Sequence, residues 1–149
     1  MPSAWGKNFL NSWLIFIVIC KALSAICFQV KQLFFNLINN SIKYKHPDRD
    51  VSIEIKTAIV DSVEAYGENI EANKSYQKIS IIDNGVGFPQ KYGEKIFNIF
   101  QRLHNLPAAK GSGIGLALCK KIVQNHRGFI KAIGIENQGA RFDIYFPID

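Results

Sequence analysis

Apolar and polar positions follow two different periods along this chain, and they predict the order of its elements. In residues 28–44 small or apolar side chains return every three or four positions, the spacing of an amphipathic helix, at Val30, Phe34, Leu37 and Ser41. His46-Pro47-Asp48 ends that helix because proline disfavours helical geometry in the residue before it. Residues 51–57 alternate strictly, which predicts a half-buried strand.

The remaining pattern completes a two-layer arrangement. It predicts a polar, acidic loop at 61–74, a strand at 76–82, a helical segment after Pro89 whose apolar stripe is Ile96, Phe97 and Phe100, a helix from Gly115 to His126 capped by Gly128, and a hairpin of strands 129–135 and 141–147. Helices and strands in this order indicate an α/β (α+β) two-layer sandwich, a mixed β-sheet backed by three main helices.

The first 27 residues differ in character from the rest and are treated as a separate N-terminal segment. Residues 13–20 form an apolar run that as a helix would span about 12 Å, against a bilayer core of about 30 Å. Extending the run places Lys21 near its centre, so a transmembrane helix is not expected. A buried strand and a signal peptide are the alternatives, and a domain at 28–149 follows.

Composition restricts the classes of function. A chain of 149 residues with 48% hydrophobic and 20% charged residues is one globular domain. Its net charge of +6 suits an anionic ligand or partner, but no aromatic-basic or zinc-finger pattern accompanies it, so nucleic acid is not expected as a partner. The three cysteines and three histidines are scattered, which indicates reduced thiols and no metal cluster of these residues.

One face of the first predicted helix is polar although the rest of that helix is apolar. Gln32, Asn36, Asn40 and Lys43 fall within about 80° of one another around the helix axis. Amide oxygens can ligate Mg²⁺, and a lysine can meet phosphate. The stripe is therefore either a solvent-facing surface or the wall of an enclosed anion site.

Two glycine-containing hexads follow. In Asp83-Asn84-Gly85-Val86-Gly87-Phe88 the carboxylate can accept a hydrogen bond from the exocyclic amine of adenine, and the glycines let a flat base approach the backbone. An ordinary turn is the alternative. Gly111-Ser112-Gly113-Ile114-Gly115-Leu116 precedes a helix, whose free amides bind anions. It is neither a Walker loop nor a dinucleotide fingerprint.

In this order the motifs resemble the nucleotide-binding boxes of the Bergerat-fold ATPases, most closely the ATP-binding domain of bacterial sensor histidine kinases. Residues 36–44 resemble the N box, 83–88 the first glycine box, 95–104 the F box and 111–116 the second glycine box. The F box points to histidine kinases rather than to gyrase-like or chaperone-like relatives.

The resemblance implies a role for each matching residue. Asn40 would ligate Mg²⁺, and Asn36 and Lys43 would act with it beside the phosphates of ATP. The resemblance also implies contacts with the rest of the nucleotide. Tyr44 would contact the base or ribose, and Asp83, Gly85 and Gly87 would form the adenine pocket. The implied phosphate contacts are Arg102, Gly111, Ser112, Gly113 and Gly115. Residues 104–110 would form a lid over the ATP.

The implied function is phosphoryl transfer from Mg-ATP to a histidine on a dimerisation domain, in trans or in a longer parent chain, with a response regulator as indirect partner and the cytoplasm as location. No two-helix hairpin carrying an acceptor histidine fits before residue 28, and proline follows His46. The alternatives are therefore a non-catalytic nucleotide-binding or docking module, or a truncated or frame-shifted remnant of a kinase. A serine-phosphorylating relative of the anti-sigma kinases is a further alternative, against which the F box argues.

Overall fold

A four-stranded sheet and two α-helices form the two layers of the structure. The computed structural model describes residues 27–61, 74–99 and 113–148. In chain order the elements are α1 (Cys27–Lys43), β1 (Ile53–Asp61), β2 (Ser75–Asp83), two 3₁₀ helices (Gln90–Tyr92 and Lys95–Phe97), α2 (Gly115–Asn125), β3 (Phe129–Ile135) and β4 (Gly139–Ile148). The two-layer α/β fold predicted from the sequence is confirmed.

The sheet has the order β1-β2-β4-β3, and all three of these pairings are antiparallel. The register places Ile79 opposite Ile144 and Ile81 opposite Phe142, so one face of the two central strands is apolar. Because side chains alternate between faces, the neighbours Ser80 and Asp143 meet on the other face. The helices therefore cover the apolar face.

The core forms where α1 and α2 pack on that apolar face. Val30, Leu33 and Leu37 of α1 are completely buried, and they belong to one cluster with Ile79 and Ile81 of the sheet. Their 3-and-4 spacing is the reason why α1 forms here, since most helical stability comes from burying an apolar stripe. Truncating a buried leucine of this kind to alanine costs about 2–5 kcal/mol.

Three local predictions differ from the structure. The segment after Pro89 forms two 3₁₀ turns instead of a third long helix, and in them Ile96 and Phe97 reach the core. The first strand continues to Asp61, beyond the end at residue 57 that alternation predicted. At the end of α2 the left-handed residue is Arg127, with φ of 57°, while Gly128 closes the turn through its amide hydrogen bond to the Val123 carbonyl.

Several predictions concern residues outside those that the structure describes. They are the status of residues 1–26, the acidic loop at 62–73, Phe100 and the lid at 104–110. Within the described ranges, neither α1 nor α2 is both long and apolar enough to cross a membrane.

Candidate functional site

The side chain of Asp83 is fixed by three hydrogen bonds at the end of β2. The Ser41 hydroxyl of α1 donates to Asp83 Oδ2 at 2.9 Å. The backbone amides of Gly85 and Ala140 donate to Asp83 Oδ1 at 2.9 and 3.2 Å. Three donors from three segments hold the carboxylate in one orientation.

The first glycine hexad packs directly against the end of α1. A Cβ atom added to Gly85 would lie 2.4 Å from the Tyr44 carbonyl oxygen, which itself accepts a hydrogen bond from the Val86 amide at 2.9 Å. Gly87 has φ of 64°, and a Cβ there would lie 2.0 Å from the Ile135 carbonyl oxygen. Both glycines are therefore required by close backbone contacts, which bring Asp83 beside α1.

The start of α2 approaches the polar stripe of α1. A Cβ added to Gly115 would lie 3.6 Å from Asn36 Oδ1, so the glycine leaves space beside that amide. The Asn36 Nδ2 atom is buried and has no hydrogen-bond partner among the described residues. Buried polar groups are normally satisfied, and an unpaired donor beside a helix N-terminus fits an anionic ligand.

The other predicted residues of α1 follow the same side of the helix. Asn40 is half-buried one turn beyond Asn36, whereas Asn39 is exposed. Lys43, also exposed, ends the helix, and its Nζ atom lies 4.9 Å from the centre of the Tyr44 ring. From Asn36, beside the start of α2, the predicted polar stripe continues through Asn40 to Lys43, the last residue of α1. Tyr44 follows it, and its carbonyl lies against Gly85.

The second glycine hexad is only partly within the described residues. Gly113 has φ of 71°, a conformation that favours glycine, and Gly115 is the first residue of α2. Gly111, Ser112 and Arg102 lie outside the described residues, so their predicted contacts with phosphate remain predictions.

Sequence reasoning missed several residues that build this site. Ser41 was counted within the apolar stripe of α1, yet its buried hydroxyl orients Asp83. A small polar residue at an apolar position was the available signal. Arg49 donates to the Gly85 carbonyl at 3.3 Å and to the Asn137 carbonyl, and Gly139, with φ of 135°, lets β4 approach Asp83. No sequence pattern indicated Arg49 or Gly139 as part of the site.

Cys119 joins the two helices behind the site. It is completely buried in α2, and its Sγ atom donates to the Leu33 carbonyl of α1 at 3.7 Å. Burial raises the pKa of the Cys119 thiol from 9.0 to about 12, while its backbone hydrogen bond lowers it slightly. The thiol is therefore a protonated packing group and not a nucleophile.

The arrangement combines an acceptor for an amine, a side-chain-free surface for a flat base, and a helix N-terminus beside the Asn36 amide, with Asn40 one turn further along α1. The first two fit adenine, and the last fits phosphate with a divalent cation. Ser41, Asp83 and Gly85 make one end of the site, and Asn36 with Gly115 makes the other.

Comparison with known proteins identifies the family. The family model described as histidine kinase-, DNA gyrase B- and HSP90-like ATPase matches residues 28–149. The chain belongs to this ATPase family, as its sequence motifs predicted, and it is an ATP-binding module of the kind found in sensor histidine kinases.

Individual proteins similar to this chain agree with the family assignment. The sensor protein RprX of Bacteroides fragilis is 36% identical over 121 residues, which are 80% of this chain and 21% of RprX. The catalytic domain of histidine kinase ThkA is 27% identical with a TM-score of 0.58, covering 83% of this chain and 70% of that one. The mycobacterial sensor histidine kinase MprB, 20% identical, shares the fold with a TM-score of 0.67, covering 83% of this chain and 75% of that one. The chain thus spans about a fifth of RprX.

Proposed function

We propose that this chain binds Mg-ATP and acts as the catalytic domain that passes the γ-phosphoryl group to a histidine on a separate dimerisation domain. The observation that carries the proposal is the Asp83 carboxylate, held by Ser41, Gly85 and Ala140 as an acceptor beside a glycine-backed surface. Such an acceptor matches the exocyclic amine of adenine and opposes the 6-oxo group of guanine. We therefore propose a cytoplasmic location for the domain, because ATP is available there.

The phosphates would lie at the other end of the site. The amides that begin α2 and the unpaired Asn36 Nδ2 are donors for phosphate oxygens, and Gly115 keeps the approach open. The oxygens of Asn36 and Asn40 are of the kind that Mg²⁺ accepts, with Lys43 as a further cation. A bound Mg²⁺ would neutralise phosphate charge, while the residues of this chain orient the nucleotide.

The acceptor histidine would come from a partner. Of the histidines within the described residues, His46 Nδ1 accepts a hydrogen bond from the Asp48 amide at 3.2 Å. His126 has its Nε2 atom buried, and its ring lies edge-on to Phe146. Neither side chain is placed to receive a phosphoryl group. A histidine on a dimerisation domain, with a response regulator as the subsequent acceptor, completes the proposed reaction.

Nucleotide binding tests the first half of the proposal. Calorimetric titration should show Mg-ATP binding, and GTP should bind at least tenfold more weakly. At 100 times its dissociation constant, ATP should stabilise the fold by about 2.7 kcal/mol. Asp83→Asn should weaken ATP binding at least tenfold, whereas Asp50→Asn, at an exposed position outside the site, should not change it. Equal affinities for ATP and GTP in the unchanged protein would contradict the role of Asp83.

Phosphoryl transfer tests the second half. The chain should be incubated with γ-labelled ATP and a separately purified histidine-bearing two-helix domain, with a histidine-to-alanine version of that domain as control. Label on the histidine-bearing domain, but not on its histidine-to-alanine version, would support the proposed kinase activity. Mg-ATP binding without label on any of several such domains, chosen from relatives of the RprX type, would instead indicate a nucleotide-dependent docking module.

A further inference from the structure

A second concave surface lies along the free edge of β3, away from the proposed nucleotide site. This β3 groove encloses about 850 Å³ between β3, the two 3₁₀ helices and α2. Asp83, Asn36, Asn40 and Gly115 do not line it. Its aromatic walls are Tyr76, Phe97 and Phe129, the last stacked on Tyr145 with ring centres 4.4 Å apart. The function proposed above makes no use of this surface.

Positive charge is concentrated in the β3 groove. Its lining includes one carboxylate, that of Glu94, and five cationic side chains from four elements and the turn after α2. The cations are Lys91, Lys95, Lys120, Arg127 and Lys131. Five cations less one anion give +4, against a net charge of +6 for the whole chain of 18 basic and 12 acidic residues. No ion pair within the described residues joins Lys91, Lys95, Lys120 or Arg127 to a carboxylate.

Several of these cations are held over aromatic rings. Lys120 Nζ lies 5.9 Å from the Phe97 ring centre, and Lys131 Nζ lies 5.7 Å from that of Phe129. Burial lowers the pKa of Lys131 from its usual value, as does nearby Lys78, whereas Asp143 raises it. Aromatic contacts fix the stems of these side chains without neutralising their charge. The groove therefore presents several cations whose charge an anionic partner could neutralise.

The backbone edge of β3 shows what kind of partner fits. The Gln90 side chain accepts from the Gly134 amide at 2.9 Å and donates to the Ala132 carbonyl at 3.2 Å, as the backbone of a neighbouring strand would. The amide and carbonyl of Ile130, two residues earlier, point to the same side because the strand has a period of two. Among the described strands β3 pairs only with β4, so no described strand continues the pairing at Ile130.

We propose that the β3 groove binds an extended, acidic segment of a partner protein, which pairs with the backbone of β3 at Ile130 and places its carboxylates among the five cations. Strand addition supplies main-chain hydrogen bonds and charge supplies selectivity. A peptide fits better than a nucleic acid because only a peptide carries the alternating N–H and C=O groups that a strand edge pairs with.

Charge-matched variants of the full chain test the proposal. The probe is a fluorescein-labelled octapeptide of alternating Glu and Val, and its control is the same length with Lys in place of Glu. The double variant Lys95→Glu, Lys120→Glu should bind the Glu peptide at least tenfold more weakly. The control variant Lys31→Glu, Lys121→Glu changes the net charge equally at exposed positions outside the groove, and its affinity should stay within twofold.

A second readout separates strand pairing from loose electrostatic attraction. In the ¹⁵N-labelled protein the Ile130 amide should shift and become protected from hydrogen exchange when the Glu peptide binds, and saturating Mg-ATP should leave the peptide affinity unchanged. Equal losses in the two double variants would overturn the proposal, as would an Ile130 amide that does not respond. So would a single-stranded oligonucleotide that binds more tightly than the peptide and depends on Lys95 and Lys120.

Discussion

The Ser41 hydroxyl donates to Asp83 Oδ2 at 2.9 Å and so ties α1 to the end of β2. Ser41 is almost completely buried, and its hydroxyl oxygen also lies 3.3 Å from the Leu37 carbonyl oxygen, which is farther than Asp83 Oδ2. A donor at this position leaves Asp83 no freedom to rotate. The carboxylate is consequently preoriented to accept a hydrogen bond from a ligand.

Ser41→Ala should lower both stability and nucleotide affinity. It removes a hydrogen bond to a charged group, worth about 1.5–3 kcal/mol, although alanine suits the surrounding apolar stripe and offsets part of that loss. We expect about 1–2 kcal/mol less stability in urea unfolding and a threefold to tenfold weaker binding of ATP. Ser52→Ala is the control, since Ser52 is exposed. An unchanged ATP affinity would show that Gly85 and Ala140 orient Asp83 without Ser41.

Asn40→Ala should remove the Mg²⁺ dependence of ATP binding. Asn40 is half-buried one turn beyond Asn36 on the same side of α1, and its amide oxygen is the proposed ligand of the ion. ATP titrations with Mg²⁺ and with EDTA should give similar affinities in this variant and different ones in the unchanged protein.

The neighbouring Asn39 provides the matched control for that experiment. Asn39 is exposed on a different side of the same helix, so Asn39→Ala should retain the full effect of Mg²⁺. If both alanine variants lose the Mg²⁺ dependence of ATP binding equally, the loss comes from damage to the helix and not from removal of an ion ligand.

Gly85→Ala should destabilise the fold itself. The new Cβ would meet the Tyr44 carbonyl oxygen at 2.4 Å, and because that atom is backbone it cannot move without displacing the end of α1. Overpacking of this kind costs about 1–3 kcal/mol. A shift of the urea midpoint with an unchanged slope would be the expected observation, and a wild-type midpoint would contradict the close contact.

Gly115→Ala should spare the fold and weaken ATP binding. Its Cβ would lie 3.6 Å from Asn36 Oδ1, an ordinary contact, and alanine is a better helix former than glycine by about 1 kcal/mol. The methyl group would nevertheless occupy the space proposed for phosphate. We expect unchanged or slightly raised stability with at least fivefold weaker ATP binding. Undiminished affinity would place the phosphates elsewhere.

Much of this architecture follows from periodicity and glycine spacing. The apolar stripe of α1 and the apolar strand predicted at 76–82 are local patterns that burial enforces, so their positions agree with the structure to within a residue or two. The short 3₁₀ turns after Pro89 were less predictable, because tertiary packing of Ile96 and Phe97, and not helix propensity, decides their form.

The site was predictable in its motifs and less so in its supporting contacts. Asp83 and Gly85 stood out because their hexad occurs together with the polar stripe of α1 and the second glycine hexad, whereas the hexad alone also fits an ordinary turn. Ser41 and Gly139 reach Asp83 from 42 residues before it and from the neighbouring strand β4. Contacts at such separation depend on strand register, which no local pattern specifies.

The buried Cys119 thiol should make the protein less stable at alkaline pH. Burial raises its pKa from 9.0 to about 12, so above pH 9 the thiol ionises in the unfolded chain but not in the folded one. Unfolding then releases a proton, and stability falls with rising pH by about 1.4 kcal/mol per unit. Below pH 9 the thiol is protonated in both states and this contribution to the pH dependence vanishes.

Cys119→Ala isolates that effect from the other groups that titrate in the same range. Its packing loss is the same at every pH, but it lacks the ionisable thiol. The stability difference between the unchanged protein and the variant should therefore shrink by about 1.4 kcal/mol between pH 8 and pH 10. Urea unfolding of both proteins at the two pH values measures it. A difference that stays constant would mean that the thiol ionises as readily in the folded protein as in the unfolded chain.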